Sequence, residues 1–273
     1  MLTTVKINEV IILNLELKGK TAVITHSDNK LGMAIAKEMA YEGVNLALCS
    51  GQDSSSYRFP KDISPNYDRF ILDETDKCQV EKTLSAIAGK FGSIDILINN
   101  IDNMILFNPF FHTDSDDGLN ILKSCLSCIC YFIKGSIPWL KKSNDPRIIN
   151  ISSLSGKEPG INLAYYNIYN SAVMNLTKTL SKELAIYKIL VNCVCTGAVE
   201  GETWDRFSDI LSDNTGMTSE DIINMYSVNS IPLGRFAVPE EISPLVVFLS
   251  SRKAAYITGA NIVIDGGAGY SVC

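Results

Sequence analysis

Short apolar runs alternate with longer amphipathic periods along nearly the whole chain, and this alternation limits the possible folds more than any other feature. Residues 21–25 (TAVIT), 45–49 (NLALC), 70–72, 94–99 (IDILIN), 147–151 (RIINI), 189–194 (ILVNCV) and 261–265 (NIVID) are rich in Ile, Val and Leu on both parities. A strand with one wet face alternates apolar and polar residues, whereas a strand covered on both faces does not. Between the runs lie helical stripes. Leu31, Ile35, Met39 and Ala40 share one face, and Val80, Leu84, Ile87 and Phe91 share another. Asp76 can cap the second stripe and Gly92 can end it. A longer period over about residues 164–186 carries Val173, Leu176, Leu180 and Leu184. Pro239 followed by Glu240 and Glu241 marks another helix start, because proline fits the first turn and carboxylates face the positive end of the dipole. The pattern predicts an α/β fold: a doubly wound parallel sheet of about seven strands with helices on both faces and right-handed crossovers.

The 273 residues, 46% of them apolar, show no internal boundary or repeat, so one domain over 1–273 is expected, with 1–16 as an N-terminal extension. Two stretches break the alternation. Residues 50–68 hold two prolines and a serine run, and read as a loop where a crossover helix would stand. Residues 199–230 leave the carboxyl edge of the sheet, where such folds bind ligands, and are expected to be a substrate lid. The formal net charge of −6, without a Lys/Arg cluster, argues against a nucleic-acid partner. The apolar stretch 121–140 contains Lys123, Lys134, Gly135 and Pro138, and reads as a buried helix at a subunit interface rather than a membrane span. Lys6, Glu9, Glu16, Lys18 and Lys20 interrupt the N-terminus, which does not read as a signal peptide. Several of the eight cysteines fall inside apolar runs, as small hydrophobes of a reducing cytoplasm. Cys125, Cys128 and Cys130 lack a second cysteine or histidine pair at matching spacing, so core packing is expected there and no metal site.

The C-terminal segments 232–250 (PLGRFAVPEEISPLVVFLS) and 257–267 (ITGANIVIDGG), together with 97–100, 148–156 and 171–185, carry a specific resemblance. From about residue 17 to residue 269 the chain resembles classical short-chain dehydrogenases/reductases, in the style of 3-oxoacyl-[acyl-carrier-protein] reductases. The resemblance implies a Rossmann-type domain that binds NADP or NAD and interconverts carbonyls and alcohols. It also implies a homodimer or homotetramer.

Residue by residue, the match is uneven. The family's glycine-rich loop maps onto Thr25, His26, Ser27, Asp28, Asn29, Lys30, Leu31 and Gly32, with only the last glycine kept. Glycines there allow a tight turn and close approach to a pyrophosphate. His26 and Lys30 add side chains, and Asp28 adds a negative charge. The plain alternative is a strand-to-helix loop capped by Ser27, Asp28 or Asn29. Ser50 takes the ribose-reading position, Asp73 the adenine-contacting acid, Asn99 the start of an Asn-Asn motif, and Gly197 the glycine after the sixth strand. Ser153 and, thirteen residues later, Tyr166 match the catalytic serine and tyrosine. Asn170 stands at the lysine position, fixed by Ser171-Ala172-Val173, and Cys125 at the asparagine position. The lysine matters because a free tyrosine has a pKa near ~10, which a neighbouring ammonium lowers.

Two readings follow. One is a member of the oxidoreductase lineage with weak or absent turnover, retained to bind a small molecule or to pair with a related subunit. The other is an active NAD(P)-dependent carbonyl reductase using Tyr166 and Ser153, with Lys30 or Lys157 as substitute cation. Tyr165 and Tyr169 are expected in helix packing, His112 at the surface, and residues 107–111 beside the ligand pocket.

Overall fold

The computed structural model describes residues 14–51, 59, 66–101 and 108–271. The start of the expected N-terminal extension and most of the expected loop at 50–68 lie outside them. Seven strands form one parallel sheet in the order β3-β2-β1-β4-β5-β6-β7. They are β1 (Thr21–Ile24), β2 (Asn45–Ser50), β3 (Tyr67–Ile71), β4 (Ile96–Asn99), β5 (Arg147–Ser153), β6 (Leu190–Thr196) and β7 (Asn261–Ile264). The helices are α1 (Lys30–Tyr41), α2 (Lys77–Phe91), α3 (Ser115–Leu140), α4 (Ala164–Glu183), α5 (Glu202–Thr215), α6 (Ser219–Ser230) and α7 (Pro239–Ser250).

Side-chain parity explains the double-sided hydrophobicity. Ala22, Ile24, Ile96, Ile98, Ile149 and Ile151 point into one core with α1 and α7. Val23, Leu97 and Ile148 point into the other, against α2, α3 and α4. Helix ends follow local chemistry. The Asp76 carboxylate accepts from Cys78 N and Gln79 N, and Gly92 ends α2 in the left-handed conformation at φ 83°. Asn29, one of the expected caps, accepts from Gly32 N at 2.7 Å to start α1.

Several boundaries differ from the sequence reading. β3 begins at Tyr67, so the last two residues of the expected loop belong to a strand. The long helix α4 stops at Glu183 and gives way to a short 3₁₀ turn over Ala185–Tyr187. β5 runs through Ser153, so the serine ends the strand rather than following it. Among the described helices, α3 is long and apolar enough to cross a membrane by length and composition. It packs instead beside α2 and α4 on the sheet, with Cys125, Cys128, Ile129, Phe132 and Ile133 buried.

Strand order reverses between β1 and β4, which opens a crevice at the carboxyl ends of the strands. The expected lid residues form α5 and α6 above that edge. Trp204 fastens them, with its ring 4.9 Å from Phe207, 5.6 Å from Tyr226 and 4.5 Å from Phe236.

Candidate active site

The loop after β1 is built on side-chain anchors. Thr25 Oγ1 accepts from Asn100 N at 2.9 Å, and Asn100 Nδ2 donates to His26 O at 3.2 Å and to Asn29 Oδ1 at 3.0 Å. A Cβ on Gly32 would lie 2.7 Å from His26 O and 2.9 Å from Ser27 Cα, both backbone atoms that cannot swing away. Gly32 is therefore required by the packing of α1 on its own loop. His26, at the first lost glycine, takes φ 44°, the left-handed conformation that a glycine would adopt without strain. Burial pushes the Asp28 carboxyl above its ordinary value.

The N-terminus of α1 already faces an anion. Lys30 N donates to Glu202 Oε2 at 3.2 Å, and Lys30 Nζ lies 3.5 Å from Asp205. Both acids belong to the first turn of α5. The free N–H groups and dipole at a helix start favour negative charge, and in dinucleotide-binding folds a pyrophosphate sits there. Here a carboxylate of the chain itself takes that place. The cavity beside it, between Asn29, Asn100, Thr196 and Glu202, measures about 60 Å³. Ligand pockets are typically ~300–1,000 Å³. This cavity adjoins a larger one across Tyr166 and Gly197.

The other expected nucleotide contacts are partly committed elsewhere. Asp73 is exposed, and its carboxylate accepts from Thr75 N and Thr75 Oγ1 at 2.9 and 2.6 Å. Asn99 is 1% exposed and donates to Asn150 Oδ1 at 2.8 Å, within a polar chain that continues from Asn150 to Thr177. Ser50 is buried at the end of β2, and Leu31 lines the small cavity. Gly197 allows close contact of β6 with the end of β7, since its Cβ would meet Asp265 Cα at 2.7 Å.

Ser153 and Tyr166 both line a second cavity of about 720 Å³. Tyr166 also lines the smaller cavity, so it stands between the two. The larger one is walled by Trp204, Phe207, Tyr226 and Phe236 from the lid side. Ser153 Oγ accepts from Ser155 N at 3.2 Å.

Asn170, one turn beyond Tyr166, is 2% exposed and fully engaged. Its Oδ1 accepts from Ser153 N at 2.8 Å and from Ser152 Oγ at 3.0 Å, and its Nδ2 donates to Tyr166 O at 2.9 Å. The carboxamide braces α4 against the end of β5. Cys125 is 6% exposed inside the α2–α3–α4 core and lines neither cavity. Among the proposed cations, Lys30 is turned to Asp205. Lys157 is near enough to Cys195 to add to the lowering of that thiol, which comes first from its contact with Cys193. Tyr165 and Tyr169 are buried in helix packing, and Tyr169 Oη donates to Ile101 O at 3.4 Å. His112 is exposed.

The sequence reading missed Glu202. An acid at a helix start ordinarily serves its own helix, and no local signal ties it to a loop 172 residues away.

Residues 26–269 match the family model described as enoyl-(acyl carrier protein) reductase. The chain is 30% identical over 262 residues to the 3-oxoacyl-[acyl-carrier-protein] reductase of Aquifex aeolicus, covering 93% of this chain and 99% of that protein. It superimposes on L-sorbose reductase of Gluconobacter frateurii, complexed with NADPH and L-sorbose, with a TM-score of 0.87 at 24% identity, covering 95% of this chain and 100% of that one. An NAD⁺-bound xylitol dehydrogenase gives a TM-score of 0.84 at 25% identity, covering 92% and 100%.

Proposed function

The chain belongs to the short-chain dehydrogenase/reductase family, a lineage of oxidoreductases, and we propose that it is a member whose dehydrogenase turnover is weak or absent. The observation that carries this is the commitment of Asn170. At the position where the resemblance implies a lysine, a neutral amide spends its oxygen and nitrogen on Ser153 N, Ser152 Oγ and Tyr166 O. It supplies no charge to favour a Tyr166 phenolate. General acid–base assistance is worth ~10²–10⁴ in rate.

The cofactor class is NADP or NAD, the class bound by the xylitol dehydrogenase neighbour. The Glu202 carboxylate competes with a nucleotide phosphate for Lys30 N at this helix terminus. In this arrangement the Glu202 carboxylate stands at the helix start where a pyrophosphate would lie.

A second reading keeps an active carbonyl reductase. The 720 Å³ cavity, shared by Ser153 and Tyr166, favours it. Lys157 then supplies the cation. A single domain with α5 and α6 as lid belongs to both readings. So does a homodimer or homotetramer in a reducing cytoplasm, supported by Leu119 on α3 and Ile168 on α4, which stay exposed at 55% and 47%.

The test is a calorimetric titration with NADPH and NADH, followed by a ketone screen with wild type and Tyr166→Phe. Turnover that disappears in Tyr166→Phe would establish the second reading. A folded protein that shows no such turnover supports the first.

A further inference from the structure

Beneath the nucleotide loop, three elements bring unlike donor atoms together inside the fold. His26 follows β1, Glu74 follows β3, and Cys128 projects from α3. Their ligand atoms all lie within 4.8 Å of one another. Glu74 and Cys128 are 5% and 1% exposed. His26 N donates to Glu74 Oε1 at 3.1 Å, and His26 Nδ1 lies 2.5 Å from Glu74 Oε2. The histidine reaches this carboxylate from a left-handed backbone that disfavours any residue with a Cβ.

His26 offsets part of the cost of burying the Glu74 carboxylate, and the Cys128 sulfur lies within 4.8 Å of the ligand atoms of both. A divalent cation would take up the carboxylate charge more fully and deprotonate a coordinating thiol. The donor set is one imidazole nitrogen, one carboxylate oxygen and one sulfur. Mg²⁺ and Ca²⁺ prefer all-oxygen sites, whereas nitrogen and sulfur with one carboxylate suit Zn²⁺, which takes three protein ligands and a water in open sites. Bonds of about 2.0–2.3 Å place tetrahedral donors roughly 3.3–3.8 Å apart. The direct His26–Glu74 contact must open by roughly 1 Å and the thiol must close by a similar amount, a movement of rotamer size.

We propose that His26, Glu74 and Cys128 bind a divalent cation of the Zn²⁺ class, which staples the glycine-poor loop to the end of β3 and to α3. Sequence spacing conceals such a site, because each ligand sits alone in its own element. This site does not depend on nucleotide binding or on Tyr166.

The experiment is a Co²⁺ titration of the chelator-treated full-length protein, read by absorption. One equivalent is expected to produce a thiolate-to-cobalt charge-transfer band, which Cys128→Ser removes. His26→Gly suits the φ of that position and should fold. It is expected to weaken Co²⁺ binding by more than the ~10–100-fold that loss of an outer partner costs. No band at one equivalent, or a band undiminished in Cys128→Ser, overturns the proposal and leaves a His26–Glu74 ion pair. Should Cys128→Ser fail to fold, unchanged affinity in His26→Gly overturns it as well.

Discussion

Ser153 and Asn170 are joined by a 2.8 Å hydrogen bond from the Ser153 amide to the Asn170 carboxamide oxygen. That bond makes the residue one turn beyond Tyr166 a brace between β5 and α4. Asn170→Ala should therefore cost stability. It strands the Ser153 N–H, and an orphaned buried group costs ~1–3 kcal/mol, while the Ser152 hydroxyl keeps the backbone oxygen of residue 170 at 3.3 Å. Urea unfolding should show a lower midpoint at unchanged slope. A midpoint equal to wild type would mean that water or a shift of α4 satisfies the Ser153 N–H.

Glu202 meets the N-terminus of α1 through Lys30 N, and Asp205 meets the Lys30 ammonium. Neutralising the first acid should open the site to other anions. Glu202→Gln is expected to bind NADPH about 2- to 30-fold more tightly than wild type, the range set by ~0.3–2 kcal/mol for a charge at a helix end. Calorimetry on both proteins at one salt concentration measures it. Equal affinities would show that the carboxylate does not compete with nucleotide phosphate.

Arg147 is 1% exposed, with its guanidinium 2.6 Å from Asp145 Oδ1, and it donates to Pro146 O and Ser251 O at 3.0 and 3.2 Å. It links the start of β5 to the end of α7. Arg147→Leu leaves Asp145 with Lys20 alone, at 3.6 Å. Breaking a buried pair from one side costs ~3–5 kcal/mol, and the remaining lysine puts the expected loss near the lower end. Adding Asp145→Leu should recover part of it. If the double variant is no more stable than the single one, the loss comes from the two carbonyls and not from the carboxylate.

The sheet was legible because burial on both faces writes Ile, Val and Leu on both parities of β1, β4 and β5. β3 was only half legible. It is an edge strand paired on one side, and Tyr67, Asp68 and Arg69 carry no apolar signal. The caps Asp76 and Asn29 were readable, since their bonds lie within three residues. The shared cavity of Ser153 and Tyr166 followed from the family resemblance. The partners of Asn170 did not, because an amide can face a crevice or a backbone with equal ease. Contacts between distant segments, Glu202 with Lys30 and Glu74 with His26, leave no local pattern at all.

Arg235 grips Glu241 at the start of α7 with two 2.7 Å bonds, and Val238 N donates to the same carboxylate at 3.0 Å. The Arg235 bonds first, and the Val238 N–H next, lower the carboxyl from 4.5 to about 2. A carboxyl with a lower pKa in the folded chain favours folding while it is ionised in both states. That contribution is complete above about pH 4.5, shrinks as the pH falls, and is gone near pH 2. Solvent exposure and salt keep it small. Glu241→Gln retains an acceptor for Val238 N but not the charge. Thermal unfolding of both proteins should show wild type more stable at neutral pH, with the gap closing between about pH 4.5 and pH 2. High salt should narrow the gap at neutral pH. A gap that persists unchanged at the acid end would assign the effect to helix capping instead of the ion pair.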